Sequence, residues 1–200
     1  MPVRVFNEEE KEKLRRKMLE EGFPLLKKYG VTHMSVSKIT DAAGIGTSTF
    51  YNFWKSKEEY LADLIFYHRQ KMLPVLIPED VRLGKRKLGR EDAKRYLYAV
   101  VDKEISIYPH LTLEDEAKIF RNTDEFKPDI EKETAITAGL LQHLEGVRSD
   151  VNFGVVANLS KILVITAESR EELHESAYDA TLEALIEAIL NQIFVKRGLK

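Results

Sequence analysis

The sequence predicts an all-α protein in which a small N-terminal three-helix domain precedes a larger α-helical body. Apolar residues recur at the three- and four-residue spacing of a helix face, and no segment shows the apolar–polar alternation of a half-buried strand. Prolines and glycines separate these periodic stretches. A chain of 200 residues, 44% hydrophobic and 32% charged, can bury a real core and has the composition of an ordinary globular protein.

The first helix is expected to begin at a capping box. Asn7 provides the N-cap and Glu10 the reciprocal side chain, ahead of a periodic run that extends to Tyr29. Pro24 lies inside this run and should bend or break the helix, because proline has no N–H to donate to the preceding turn. Gly30 should end the helix in a left-handed conformation.

The segment from 35 to 53 is typical of a helix-turn-helix motif. Ser35 caps a short second helix, Gly44-Ile45-Gly46 forms a turn, and Thr47 to Phe53 forms a third helix. The outward residues of the third helix are short, polar and free of carboxylates: Thr47, Ser48, Thr49 and Asn52. Such a helix presents its outward residues to base edges in the major groove of DNA. Periodicity alone equally allows two short helices with no DNA role.

Several side chains of this segment suit particular parts of a DNA duplex. Asn52 can hydrogen-bond adenine, and the threonine methyls can contact the methyl group of thymine. Tyr51 can donate its hydroxyl proton to a phosphate. Lys57 lies at the start of a fourth helix, opened by a second capping box of Ser56 and Glu59, where backbone N–H groups also favour an anion.

The rest of the chain is predicted to be helical after a break. The fourth helix should reach Met72, and the proline- and glycine-containing stretch 74–90 should be a linker. Its basic run Lys85-Arg86-Lys87 is either a solvated surface or a phosphate-contacting patch. Further helices are expected at about 91–108, 112–122, 126–146, 152–168 and 171–196.

The charge is unevenly distributed along the chain. Residues 1–57 carry 11 basic and 7 acidic side chains, whereas residues 58–200 carry 20 and 26, so a basic head precedes an acidic body. The absence of cysteine excludes disulfides and zinc-thiolate sites. Three glutamates near the start argue against a signal peptide, and the most apolar stretch, 155–167, is too short to span a bilayer. We therefore expect a cytoplasmic protein without a membrane segment.

The run from Leu25 to Leu61 resembles the N-terminal domain of the TetR family of bacterial regulators. The matching positions are Tyr29-Gly30, Ser35-Val36, Ile39, Ala42-Ala43-Gly44, Thr49-Phe50-Tyr51, Phe53 and Ser56-Lys57-Glu58. The resemblance implies a homodimer whose third helices enter successive major grooves of a partly palindromic, double-stranded DNA operator. It also implies that a small-molecule effector binds the body and releases the DNA, as in a ligand-responsive repressor.

This resemblance assigns a role to each part of the chain. Residues 1–56 would form the helix-turn-helix DNA-binding domain, and residues 57–200 the ligand-binding and dimerisation domain. It implies no cofactor. The candidate DNA-contacting residues are Ser35, Lys38, Thr47, Ser48, Thr49, Tyr51, Asn52 and Lys57.

The sequence departs from the family's pattern at three places. Gly46 stands where a capping serine is usual, and glycine caps a helix at a cost of a few tenths of a kcal/mol. Thr47 and Ser48 replace a common Lys-Gly pair, so one cation that would seek a phosphate is missing. Gly22 and Pro24 replace helix-favouring residues.

The last helix is apolar on two sides. Its large apolar residues span about half its circumference, and alanines at 177, 180, 184 and 188 line another side. Two neighbours would cover such a helix, namely its own core and a partner chain; the alternative is a central helix of a monomer. Together with an apolar helix around 155–165, it predicts a dimer interface formed by Leu159, Ile162, Leu182, Leu185, Ile189 and Ile193.

The effector pocket is predicted from aromatic and amphipathic residues of the middle helices. Such residues can line a cavity with a few polar groups, although they can equally form plain core. No effector class follows from them. The candidates are Tyr96, Tyr108, Phe120, Phe126, His143 and Phe153.

The sequence offers little for a metal site or for catalysis. The five histidines include no close pair at ligand spacing, and the chain has neither a glycine-rich phosphate loop nor a nucleophile elbow. An α-helical enzyme would need paired carboxylates or a His dyad in register, and a DNA-packaging protein should be basic throughout. We therefore expect no enzyme, no metal and no cofactor.

Overall fold

The computed structural model describes residues 7–121 and 130–195. Within these ranges the protein is all-α, and the pairing of extended backbone is limited to isolated bridges such as that between Val147 and Phe194. The predicted fold class is confirmed. The α-helices are α1 (Glu8–His33), α2 (Val36–Ala43), α3 (Thr47–Phe50), α4 (Lys57–Leu76), α5 (Glu79–Arg82), α6 (Arg90–Val101), α7 (Leu113–Ile119), α8 (Ile130–Leu141), α9 (Phe153–Glu168) and α10 (Tyr178–Ile193).

The first helix begins as predicted but does not break at Pro24. The Asn7 side chain accepts a hydrogen bond from the Glu10 N–H at 2.8 Å, and the Glu10 carboxylate accepts one from the Asn7 N–H at 3.1 Å. The only residue of α1 with non-helical dihedral angles is Gly30, at φ 64° and ψ 171°. A helix tolerates proline when packing offsets the lost hydrogen bond, and here Gly22 and Leu26 are buried on either side of it.

The chain divides into two compact units. The first comprises the residues up to Gln70 and the segment that starts at Glu114, and the second comprises Lys71–Leu113 and the residues from 130 onward. Most of α4 therefore lies in the first unit, whereas the sequence placed the whole fourth helix in the body.

The core of the first unit brings α1, α2, α3 and α4 together around aromatic residues. The Tyr60 hydroxyl of α4 is fully buried and donates a hydrogen bond to the Met18 carbonyl of α1 at 2.8 Å. Gly22 lies where a Cβ atom would come within 2.7 Å of a Leu64 methyl carbon. Glycine at this position therefore allows α1 and α4 to approach closely. The fully buried side chains include Met18, Leu19, Leu26, Ile39, Phe50, Tyr60, Leu61, Leu64 and Ile65.

The second unit has a core built from α6, α8, α9 and α10, and α10 is its most buried helix. Ile186, Ile189 and Leu190 of α10 have no exposed surface. The predicted linker 74–90 is more ordered than expected, because Ile77, Val81 and Leu88 form a small apolar cluster around α5. No helix in the described ranges combines the length and the apolar character that crossing a bilayer requires.

Candidate nucleic-acid interface

Helices α2 and α3 and the turn between them have the geometry of a helix-turn-helix motif. The Ser35 hydroxyl caps α2 by accepting a hydrogen bond from the Lys38 N–H at 3.3 Å. Gly44 ends α2 in the left-handed conformation, with φ 68° and ψ 37°, which glycine adopts without steric cost. The Ile45 N–H then donates to the Thr40 carbonyl at 3.0 Å. The predicted turn is therefore present.

The third helix is shorter than the sequence predicts. It was expected to reach Phe53, but it ends at Phe50, and residues 51–53 form hydrogen-bonded turns. The reason lies in the next residues. Trp54 is 3% exposed and Ser56 must cap α4, so the chain has to leave the helical path to bury the indole.

The outward surface of α3 and its following turn is polar and free of carboxylates. Thr47, Ser48 and Asn52 are exposed, Thr49 is half-buried, and Tyr51 is 55% exposed. The Tyr51 ring lies edge-on against the buried Phe50 ring at 5.4 Å between centroids, which fixes its position. No aspartate or glutamate occurs from Ala42 to Lys57, so this surface would not repel a phosphate backbone.

The remaining predicted DNA-contacting residues lie beside this surface in different states. Lys57 is half-buried, and its ammonium group donates one hydrogen bond to the Val31 carbonyl at 2.9 Å. Its other N–H groups have the geometry to serve an anion, since an ammonium carries three donors. Ser35 is exposed, and the half-buried Lys38 places its ammonium 5.0 Å from the centre of the Tyr29 ring.

An aromatic cluster behind α3 supports the outward surface of α3 and its following turn. This cluster was not identified from the sequence. The Trp54 ring lies 5.3 Å from the Phe50 ring and 4.9 Å from the Tyr60 ring. Burial raises the pKa of the Tyr60 phenol well above its usual value, and the Asp63 carboxylate acts in the same direction. The hydroxyl therefore stays protonated and keeps its hydrogen bond to α1.

A carboxylate ties this cluster to the first helix. Asp63 of α4 accepts a hydrogen bond from the Trp54 indole N–H at 2.8 Å. It also forms an ion pair with Arg15 at 2.5 Å. One side chain thus joins α1, α4 and the segment that follows α3. The only signal in the sequence was that Trp54 is the sole tryptophan, which does not reveal its partner.

The structure narrows the predicted dimer interface. Leu182, Ile189 and Ile193 are 7%, 0% and 5% exposed, because they form the core of their own protomer. They have little surface left to offer a partner, so their assignment to the interface is corrected. Leu159 and Leu185 are half-buried against the same core, and Ile162 is 46% exposed.

Helices α9 and α10 present an exposed face with small and apolar residues. Val155, Ile162 and Ile165 of α9 are 37%, 46% and 37% exposed. Ala180 and Ala184 of α10 are exposed, and so is Ala177, which immediately precedes it. The flank of α10 that faces α6 is occupied by ion pairs, with Arg90 to Glu187 at 2.5 Å and Lys94 to Glu183 at 2.6 Å.

The predicted pocket residues are divided between the two units. Tyr96 and Phe153 are half-buried against the core of the second unit, and Tyr108 and His143 are half-buried in the same unit. Phe120 is buried in the first unit. Phe126 lies outside the described residues.

Comparison with known proteins adds an independent observation. The sequence pattern of the bacterial regulatory proteins of the tetR family matches residues 19–64, which span the end of α1, the helix-turn-helix and the start of α4. Among curated proteins, no significant match was found.

Solved structures share the fold across nearly the whole chain. A TetR-family transcriptional regulator from Pectobacterium atrosepticum is 20% identical with a TM-score of 0.60, over 96% of this chain and 99% of that one. A TetR-family regulator from Marinobacter aquaeolei is 18% identical with a TM-score of 0.53, over 94% and 98%. NalD of Pseudomonas aeruginosa, the secondary repressor of the MexAB-OprM multidrug efflux pump, is 15% identical with a TM-score of 0.52, over 94% and 99%.

The matched pattern includes the residues of the carboxylate-free outward surface of α3. The similarity of fold covers nearly the whole chain, including α10. Residues 19–64 therefore match the tetR family of bacterial regulatory proteins, and the chain as a whole shares the fold of solved TetR-family regulators.

Proposed function

We propose that the protein is a ligand-responsive repressor that binds a partly palindromic DNA operator as a homodimer. The observation that carries the proposal is the exposed surface formed by Thr47, Ser48, Tyr51 and Asn52, which is polar, free of carboxylates and backed by a rigid aromatic cluster. A helix of this kind reads base edges when it enters the major groove.

The side chains divide by the part of DNA that they suit. Asn52 and Thr47 point away from the core on α3 and its following turn, and they are assigned to base edges. Tyr51 and Lys57 are assigned to phosphates. A phenol and an ammonium can donate hydrogen bonds to phosphate oxygens, which are the same in every DNA sequence. Ser35 and Lys38 would contact the backbone beside them. Thr49 is half-buried and would contact the backbone or the groove edge.

The second unit is proposed to form the dimer through the exposed face of α9 and α10. Ile162 and Ile165 give this face its apolar character, and Ala180 and Ala184 let a partner helix approach closely. The opposite side of α10 is buried, and its α6 flank is filled with ion pairs. This face is therefore the part of α10 that a second copy can still cover. The two N-terminal domains of such a dimer would bind the two half-sites of an operator.

The effector is proposed to bind among the aromatic residues of the second unit, with Tyr96, Tyr108, His143 and Phe153 as candidates. Phenol and imidazole groups beside apolar rings give a few polar contacts in an apolar setting, as small-molecule sites usually do. NalD, which shares the fold, is named as a repressor of an efflux pump, and this supports a repressor role here. A protein with this role would act in the cytoplasm.

Selection of binding sites from random DNA with the purified protein tests the proposal. We expect the enriched sequences to contain two inverted half-sites about one helical turn apart, or a multiple of it, and the protein to sediment as a dimer. Placing such a site in a promoter should lower transcription of a reporter gene. Enrichment of no sequence, or of a single unrepeated half-site, would contradict the dimeric operator-binding function.

A further inference from the structure

A long segment of the first unit carries positive charge without any negative charge. From Gly22 to Thr40 the chain has three lysines and one histidine and no aspartate or glutamate, although the whole protein has 33 acidic residues. This segment contains the end of α1 and the start of α2. It therefore forms a local positive region in a protein whose net charge is −2.

Two of these lysines converge on one aromatic ring. The ammonium group of Lys28 lies 5.1 Å from the centre of the Tyr29 ring, and that of Lys38 lies 5.0 Å from the same centre. The negative face of an aromatic ring attracts a cation at this distance, so both side chains are held beside Tyr29, with their ammonium groups no farther apart than the sum of these two distances. Residues from two different helices are thus brought together by a single ring.

Neither the Lys28 nor the Lys38 ammonium group has a carboxylate partner among the described residues. Each of these positive charges can therefore attract a nearby anion. The pair therefore has the charge and the placement of an anion-binding site.

The position of the pair in the motif indicates which anion it meets. Lys38 lies in the first turn of α2, three residues after its cap Ser35. In a helix-turn-helix the first helix crosses the DNA backbone while the second enters the groove. The ammonium groups beside the start of α2 would then face phosphates rather than bases.

We propose that Lys28 and Lys38, held by the Tyr29 ring, form a paired binding site for the DNA backbone phosphates that flank the contacts of α3. This inference rests on the proposed DNA-binding function and deepens it. No lysine or arginine occurs from Ile39 to Trp54, so α3 has no cation of its own that could bind a phosphate. The lysine pair supplies that charge from α1 and α2, and it does so for any DNA sequence.

The test is the salt dependence of binding to a mixed-sequence DNA duplex, followed by fluorescence anisotropy. Lys28→Ala and Lys38→Ala should each lower the slope of log affinity against log salt by about 0.9, and the double variant by roughly twice that, with affinity falling about fivefold per lysine at physiological salt. Lys28→Arg and Lys38→Arg should keep the slope, because the positive charge remains.

Lys13→Ala is the matched control. Lys13 is an exposed lysine near the opposite end of α1 and is paired with Glu9 at 2.6 Å, so its removal should leave the slope unchanged. A double variant with the wild-type slope overturns the paired site, as does a fall confined to Lys38→Ala alone. Wild-type protein that binds no DNA overturns this inference together with the proposed function. Binding of the wild-type protein to a selected operator, with an unchanged slope in the lysine variants, overturns only the inference.

Discussion

Tyr51 and Lys57 are both assigned to phosphates, yet they occupy different environments. Tyr51 is 55% exposed and its ring is fixed against Phe50, so its hydroxyl is available without rearrangement. Lys57 is half-buried and already bonded to the Val31 carbonyl, so its ammonium is oriented by the protein before DNA arrives. A neutral donor and a charged donor should leave different signatures in a titration, because only the cation releases counterions from DNA.

Lys57→Ala should therefore lower the salt slope of DNA binding by about one, whereas Tyr51→Phe should weaken binding at every salt concentration with little change of slope. Parallel anisotropy titrations of the two variants against one duplex measure the difference. Lys57→Arg, which keeps the charge, is the control. An unchanged slope for Lys57→Ala would remove this residue from the phosphate contacts.

Asn52 belongs to the same surface but should act on specificity. Its exposed amide suits adenine in the major groove, and a good pairing of this kind discriminates between bases by about 1–3 kcal/mol. Asn52→Ala should thus relax the preferred operator at one position and leave affinity for mixed-sequence DNA nearly unchanged. Site selection with both proteins compares the two; identical enriched sequences would contradict a base contact by Asn52.

At the scale of the helices, replacement by alanine should change stability in opposite directions at two glycines. An exposed helical glycine replaced by alanine usually gains up to about 1 kcal/mol, because alanine favours the helix. At Gly22 the added Cβ atom would lie 2.7 Å from a Leu64 methyl carbon, and overpacking of this kind costs about 1–3 kcal/mol. The steric cost should exceed the gain in helix propensity.

Gly22→Ala should therefore lower the free energy of unfolding by about 1–2 kcal/mol. Gly139 in α8 is the matched control, since a Cβ atom there would meet nothing within 4 Å and Gly139→Ala should stabilise the protein. Thermal or denaturant unfolding of the two variants measures both effects. If the two substitutions shift stability in the same direction, the close approach of α1 and α4 is not what requires Gly22.

The same scale shows what the sequence could predict. The capping box of α1 and the turn at Gly44 depend on neighbouring residues, and they were predicted correctly. Gly30 has the expected positive φ, but its ψ of 171° is not that of a left-handed helical residue, and helical structure resumes after it as far as His33. The end of α3 depends on the burial of Trp54 against Tyr60 and its bond to Asp63, contacts between distant parts of the chain. Periodicity does not contain such contacts, so the third helix was predicted three residues too long.

At the scale of the whole molecule, the apolar residues of α10 have two possible neighbours, the core of their own protomer and a partner chain. Periodicity shows that a helix is apolar on more than one side, but it does not say which side meets the protein's own core. Burial makes that division: Leu182, Ile189 and Ile193 belong to the protomer, and the exposed face belongs to α9 as much as to α10. Leu185 packs on the core, so a charge there would disturb folding as well as association.

Ile162 is therefore the residue that tests the dimer. It is 46% exposed on α9, so Ile162→Arg should leave the protomer folded while placing a charge in the proposed interface. We expect sedimentation as a monomer and a large loss of affinity for a two-half-site operator, because the second head no longer binds at high effective concentration. Leu83→Arg is the control. Leu83 is 60% exposed and lies outside that face, so this variant should remain a dimer. A dimer that persists in Ile162→Arg, with unchanged melting temperature and operator affinity, would move the interface away from α9.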